Sequence, residues 1–351
     1  MKRKRILVVV PSFSLVGGVA NHYMGLEPYW TEDVRYCVYG KRERMPAVLC
    51  MIPDLLVFMY KLAVMRPDIV VVNPSLRPYQ LVRDAVYLLM AKLFRRKVVT
   101  FFHGWDLSLA ARIEKRPALF RWVYGRSSLI YVLCSDFAAS LERMGIVGRV
   151  KLNTTKVADH LVEGFDMAAR NRPATHLLYL ARIDKYKGIY VTIDAFELLQ
   201  KEFPELKFTI VGNGVDEQRA RKYVAQKNLT NVNFTGGLHG KDLAAQFAQG
   251  DIYVLPSYFE GMATSVLEAM AFGLPVVTAP VGGVKDFFED GKMGFLIDSY
   301  AAKDYADCIA RLVKDDALRQ AMSQTNYQYA HEHFMASAIA RRMEHDFSEL
   351  V

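Results

Sequence analysis

Asp251-Ile-Tyr-Val-Leu-Pro-Ser-Tyr-Phe-Glu260-Gly-Met-Ala-Thr-Ser-Val-Leu-Glu268-Ala-Met-Ala-Phe-Gly273-Leu-Pro-Val-Val277 is the stretch from which the rest of the chain can be read. Ile252 to Leu255 is a short apolar run closed by Pro256, the pattern of a buried strand. A loop carrying Glu260 and Gly261 follows. Residues 263–272 place Val266, Leu267, Met270 and Ala271 at helical spacing, with Thr264 or Ser265 as candidate N-caps. Gly273 and Pro275 stop that helix, and Val276-Val277-Thr278 opens the next strand. A strand, a loop at its carboxyl end and a helix N-terminus make an anion site of backbone amides. Glu260 in the loop and Glu268 one turn inside the helix flank it. Amides for a phosphate, beside carboxylates that accept hydroxyl hydrogen bonds, suit a sugar nucleotide.

At 351 residues the chain is too long for one comfortable core, and two domains of ordinary size are expected. Hydrophobic content of 52% with 23% charged residues is that of a soluble globular enzyme. Cys37, Cys50, Cys134 and Cys308 show no C-x-x-C spacing, which fits a reducing compartment and argues against a disulfide framework. The basic opening is followed only by Ile6 to Val10 before Pro11, too short for a signal peptide, so this run reads as a first strand. No run approaches a membrane span, and a cytoplasmic location is expected.

Working along the first half, Gly17-Gly18 follows the strand at 5–10 and opens a helix. Bare backbone there can approach a ligand and offer amides to an anion, or simply make a turn. Strands are expected at 34–39 and 69–73, and helices at 53–65, with Pro53 near its start, and at 79–95. Strand 97–102 delivers His103 at its carboxyl end, where doubly wound sheets bind ligands. A strand at 129–133 and a helix at 136–144, capped at Cys134-Ser135, precede an interdomain connection within 145–175. The second half alternates regularly: strands 176–181, 206–211, 231–235, 251–255 and 275–279, with helices 188–202, 215–228, 240–249 and 263–272 between them. This order implies parallel sheets with right-handed crossovers. Residues 301–333 are helical in pattern, and a last helix follows from 336. Val211-Gly212-Asn213-Gly214 lacks the third glycine of a dinucleotide fingerprint and does not argue for NAD.

With Pro256-Ser257, Gly261, Leu267, Ala269-Met270-Ala271, Gly273 and Pro275-Val276-Val277 framing its two glutamates, the opening stretch resembles the E-x7-E motif of GT4-family retaining glycosyltransferases. Arg182-Ile-Asp-Lys-Tyr-Lys187 resembles the family's R-x(4)-K pattern. The resemblance covers nearly the whole chain. It implies an α/β protein of GT-B fold, two Rossmann-like doubly wound domains facing a central cleft. Residues 1–165 would be the acceptor-binding domain and 172–335 the nucleotide-sugar-binding domain, with helix 336–351 packing back onto the first. The implied reaction moves a sugar from a nucleotide diphosphate sugar to an acceptor hydroxyl, with retention at the anomeric carbon. Glu260 would fix the donor sugar and Glu268 the ribose. Arg182 and Lys187 would clamp the diphosphate, helped by backbone around Gly17, Gly18, Gly261, Met262, Ala263, Thr264 and Ser265. His103 would face the donor near the reaction centre, and Gly237-Leu238 would hold the base. No protein nucleophile is required, and neither a metal nor another cofactor is expected.

Residues 1–170 hold 26 Lys and Arg against 14 Asp and Glu, and residues 171–351 hold 19 against 23. No nucleic-acid module accompanies the basic half. Helix 79–95 is apolar and is flanked by Arg83, Lys92, Arg95, Arg96 and Lys97, which would suit an anionic membrane surface and a lipid-linked sugar acceptor, or simple packing on a sheet. Cell-surface polysaccharide or glycolipid assembly is the expected setting. The alternatives are a GT-B sugar-nucleotide epimerase and a non-catalytic sugar-nucleotide-binding subunit of a polysaccharide assembly complex.

Overall fold

The computed structural model describes residues 3–14, 17–40 and 47–351. They form two units, one made of residues 1–155 with 336–351, the other of residues 156–335. The first runs β1 (Arg5–Pro11), α1 (Gly18–Leu26), β2 (Asp33–Tyr39), α2 (Ala47–Met65), β3 (Ile69–Val72), β4 (Ser75–Leu76), α3 (Pro78–Leu93), β5 (Lys97–Phe102), β6 (Gly104–Trp105), α4 (Leu107–Lys115), α5 (Ala118–Tyr124), β7 (Leu129–Val132), α6 (Ser135–Arg143) and β8 (Val150–Leu152). Its parallel sheet has the order β2-β1-β3-β5-β7-β8, and β4 pairs with β6 beside it. Ile6 to Val10, Ile69 to Val72 and Val98 to Phe102 are fully buried, as a parallel sheet covered on both faces requires. The chain steps outward from β1 to β2 and then returns to β3 on the other side. That reversal opens a crevice beyond the carboxyl ends of β1 and β3.

The second unit continues with β9 (His176–Leu180), α7 (Ile189–Glu202), β10 (Lys207–Val211), α8 (Glu217–Gln226), β11 (Val232–Gly236), α9 (Gly240–Gln249), β12 (Ile252–Leu255), α10 (Thr264–Ala271), β13 (Val276–Thr278), α11 (Val284–Phe287), β14 (Gly294–Leu296), α12 (Ala302–Lys314) and α13 (Asp316–His333). Its sheet order, β11-β10-β9-β12-β13-β14, is also parallel throughout and reverses between β9 and β12. α7 packs with α12, and α10 packs with α13. The last helix, α14 (Ala336–Ser348), belongs to the first unit, where Asp346 accepts hydrogen bonds from the Tyr131 hydroxyl (2.7 Å) and from Lys151 Nζ (2.8 Å).

Several boundaries differ from the sequence expectation, each for a local reason. Residues 156–165 join the second unit, not the first, because Val157 bridges Met335 and the following segment is clamped by Arg170. That buried guanidinium donates to the carbonyls of Phe247, Gly250 and Phe272, the closing turns of α9 and α10, where helix carbonyls lack partners of their own. α2 reaches back to Ala47, so Pro53 lies inside the helix instead of opening it. α4 and α5, of nine and seven residues, are not among the expected helices; each is too short to show a sustained helical period. α6 has Cys134 at its N-cap and α10 has Ala263, and neither is closed by a side-chain hydrogen bond.

Candidate active site

Both loops at the β9/β12 reversal carry residues singled out in the sequence. The loop after β9 is held in shape by its own backbone: Asp184 accepts from the N–H groups of Tyr186 (2.9 Å) and Lys187 (3.1 Å), turning Lys185–Lys187 into a single tight helical turn. Ile183 N–H donates to the Asn213 carbonyl (3.0 Å), which ties the loop to the one after β10. Gly188 then starts α7 at φ 74°, and a Cβ there would lie 2.1 Å from the Pro256 carbonyl oxygen. Only glycine fits both the left-handed backbone and that approach.

The loop after β12 meets it. Tyr258 N–H donates to the Tyr186 carbonyl (2.9 Å), and Lys187 Nζ lies 2.6 Å from Glu260 Oε1. Both side chains are largely buried, at 16% and 11% exposure, so this ion pair is shielded from water and salt. Gly283 N–H donates to the Gly261 carbonyl (2.8 Å), and a Cβ on Gly282 would meet the Glu260 carbonyl oxygen at 2.4 Å. The Glu260 loop is thus held from both sides. Arg182 lies in the loop after β9, exposed, and its guanidinium makes no hydrogen bond among the described residues.

Beyond Gly261, Met262 and Ala263, helix α10 begins at Thr264 without a side-chain cap. Thr264 and Ser265, expected as caps, stand inside its first turn, and Ser265 Oγ bonds instead to the Tyr253 hydroxyl (2.7 Å). Val266 N–H already donates to the Ala263 carbonyl (3.0 Å), but Ala263 at the N-cap brings no side-chain oxygen, so the positive end of the helix dipole favours an anion there. Glu268 stands one turn further on. Burial pushes its carboxyl up to about 7, with the Lys156 ammonium pulling the other way. Lys156 had no sequence signal, since it lies in an irregular segment far from Glu268 in the chain. Gly237 N–H donates to Asn213 Oδ1 (2.9 Å), fixing the Gly237-Leu238 turn beside the loop after β10.

In the first unit the β1/β3 reversal gathers a separate cluster. His103 Nε2 lies 3.0 Å from Asn73 Oδ1, which also accepts from the Tyr23 hydroxyl (2.8 Å), while Asn73 Nδ2 donates to the Val9 carbonyl (3.0 Å). Burial holds the His103 imidazole down at about 3, so the ring is neutral, and it packs on Phe101 with centroids 3.9 Å apart. Neutral imidazole offers one donor and one acceptor, and the Asn73 oxygen occupies the donor. Asn73 was legible only as the polar end of an apolar strand. Gly17 and Gly18 open α1 with none of the described residues within 4 Å of where a Cβ would stand, so space, not strain, is what they contribute. Among the described residues, no group of three or more His, Cys, Asp or Glu is arranged to hold a metal ion.

Residues 166–329 match the family Glycosyl transferases group 1. The amylovoran biosynthesis glycosyltransferase AmsK of Erwinia amylovora is 27% identical over 237 residues, which cover 64% of this chain and 57% of that protein. A D-inositol 3-phosphate glycosyltransferase of Pseudarthrobacter chlorophenolicus is 36% identical over 154 residues, 42% of this chain and 37% of that one. The chain spans less than two thirds of the length of the curated relatives it matches. A crystal structure of HepE from Anabaena in complex with UDP and glucose covers 98% of this chain and 100% of its own, with a TM-score of 0.72 at 16% identity. The fold is GT-B.

Proposed function

We propose that the chain, whose residues 166–329 match the glycosyl transferases group 1 family, is a glycosyltransferase that moves a sugar, with retention, from a nucleotide diphosphate sugar to an acceptor hydroxyl in polysaccharide or glycolipid assembly. The observation that carries this reading is the shielded Lys187–Glu260 ion pair beside the uncapped N-terminus of α10. An anion at that helix end meets backbone amides and an ammonium together, which is what a diphosphate requires. Arg182, with its unengaged guanidinium, completes the charge on the departing nucleotide.

Glu260, held by Lys187, accepts hydroxyl hydrogen bonds from the donor sugar and fixes its pose. Glu268 does the same for the ribose. The Gly237-Leu238 turn holds the base through its backbone, and UDP is the favoured nucleotide because a solved protein of the same fold holds UDP. Neutral His103 acts by hydrogen bonding at the reacting face, not by proton transfer from a cation. The leaving phosphate accepts the acceptor's proton, so no side-chain nucleophile is needed. The acceptor is a sugar or a lipid-linked sugar, with the protein working in the cytoplasm at the inner face of the cell membrane.

Thermal stabilisation by UDP-, GDP- and ADP-sugars tests the reading. A donor at about 100 times its Kd adds about 2.7 kcal/mol. Stabilisation by one base class, lost in Lys187→Ala, is expected; no response to any of the three overturns the assignment.

A further inference from the structure

The first unit carries a second concave surface at the opposite end of its sheet from His103. Helix α3 ends where β5 begins, so its last turn lies at the amino ends of the strands, whereas His103 follows their carboxyl ends. There Lys92, Arg95, Arg96, Lys97, Arg126 and Arg149 line a pocket of about 500 Å³. Glu349, the one carboxylate among the described residues of its lining, is already paired with Lys151 at 2.9 Å. The cations feel one another: the Lys92 ammonium is held below its usual value by burial and by Lys97, Arg149 and Arg126. Arg96 Nε is buried without a hydrogen-bond partner. Arg83, grouped with these cations in the sequence, is not among them; it pairs with buried Asp84 at 2.6 Å and lies over the Tyr39 ring.

An apolar groove of about 400 Å³ adjoins this pocket along α3, walled by α4 and α5. α3 buries Tyr87, Leu88 and Ala91 against the sheet, and its other face supplies Val82 and Leu89 to the groove. Val82, Leu119 and Trp122 are exposed, Leu119 at 74%. The Arg126 guanidinium lies 4.7 Å over the Trp122 ring and joins groove to pocket.

We propose that this face docks on an anionic phospholipid bilayer, with the basic pocket taking a lipid phosphate and the Trp122 groove lying at the headgroup–acyl boundary. Unbalanced cations beside exposed aliphatic side chains and an amphipathic indole match both layers of such a surface. Nucleic acid is a poorer fit, because it needs cations strung along a track, and here they converge in one pocket. The proposed contact is peripheral, and no described helix is long and apolar enough to cross a membrane. The inference rests on these side chains and not on the transfer reading, and sedimentation tests it without any activity assay.

Co-sedimentation of the full chain with phosphatidylglycerol and phosphatidylcholine vesicles reads the contact directly. Binding is expected to phosphatidylglycerol alone and to fade from 0.05 to about 0.5 M salt, as screening shortens. The double variant Arg95→Glu/Lys97→Glu lowers partitioning at least about tenfold, and Leu119→Glu lowers it about threefold or more, with melting temperatures reporting that both are folded. Lys222→Glu, an exposed charge reversal in the second unit, leaves binding unchanged. The proposal is overturned by equal recovery on phosphatidylcholine, by no recovery on either vesicle, by equal loss in Lys222→Glu, or by stabilisation with inorganic phosphate in the absence of any vesicle binding.

Discussion

Lys187 and Glu260 meet at 2.6 Å across the point where the sheet of the second unit reverses its strand order. One leaves β9 and the other leaves β12, and the backbone bond from Tyr258 to Tyr186 holds their loops together. In the proposed function, a donor entering there exchanges part of this pairing for its own phosphate and hydroxyl groups. Lys187→Ala is expected to lower kcat/KM at least about a hundredfold, because charge on the leaving nucleotide loses its cation. It also leaves Glu260 without its partner in a shielded place, at a stability cost of about 2 kcal/mol, read by denaturant unfolding.

The two glutamates separate kinetically. Glu260→Ala is expected to lower turnover more than UDP affinity, since the sugar and not the nucleotide loses its contact. Glu268→Ala is expected to weaken UDP binding chiefly. Calorimetry of UDP with both variants checks the split, and equal losses of UDP affinity would contradict it.

Glu268 also links binding to pH. Its folded carboxyl titrates at about 7, above the ordinary 4.5, so the native state holds a proton that the unfolded chain has released between those values. Stability from this group is full below 4.5 and declines as pH rises to 7, by no more than about 3 kcal/mol. Glu268→Gln removes that decline. Ribose hydroxyls favour the ionised form, so UDP binding at pH 7 is expected to release protons. Calorimetry in buffers of different ionisation enthalpy measures the release, and none is expected in Glu268→Gln.

His103 has the opposite sign. Its imidazole is held at about 3, below the ordinary 6.5, so the unfolded chain takes up a proton that the folded one refuses. Stability from this group is complete above 6.5 and is lost as pH falls toward 3. His103→Gln is expected to flatten the acid limb of the unfolding profile. The transfer rate of the native protein is expected to show no inflection from His103 between pH 5 and 8.

The candidate residues could be named from the sequence because they sit in local patterns. Glu260 and Glu268 lie on either side of a strand–loop–helix boundary, and Arg182 and Lys187 follow a buried strand directly. What was not legible depends on pairings between distant segments. Lys156 reaches Glu268 from an irregular stretch, Asn73 anchors His103 from another strand, and Arg170 ties residues 166–170 to α9 and α10 by three carbonyls. The N-caps failed for a different reason: Thr264 and Ser265 have the right chemistry, but the helix starts one residue earlier than either could cap, with Ala263 at the N-cap and Ser265 bonded to the Tyr253 hydroxyl.

Gly282→Ala tests whether the backbone of the Glu260 loop matters apart from its side chains. The added Cβ would stand 2.4 Å from the Glu260 carbonyl oxygen at a φ of 57°, so the loop must shift. Turnover is expected to fall about tenfold or more with every site side chain still present. Unchanged turnover would show that the loop position is not critical.

Metal dependence follows from the same charges. With Lys187, Arg182 and the first-turn amides of α10 neutralising the diphosphate, transfer is expected to proceed undiminished in EDTA. Activity lost on chelation and restored by Mg²⁺ or Mn²⁺ would reassign that role.

Proton NMR of the anomeric centre during turnover of an α-linked UDP-sugar addresses the central claim most directly, with water as acceptor if no other is at hand. Release of UDP together with an α-configured first product, abolished in Lys187→Ala, is the predicted result. A β-configured first product, or nucleotide release as fast in Lys187→Ala as in the native protein, would contradict it.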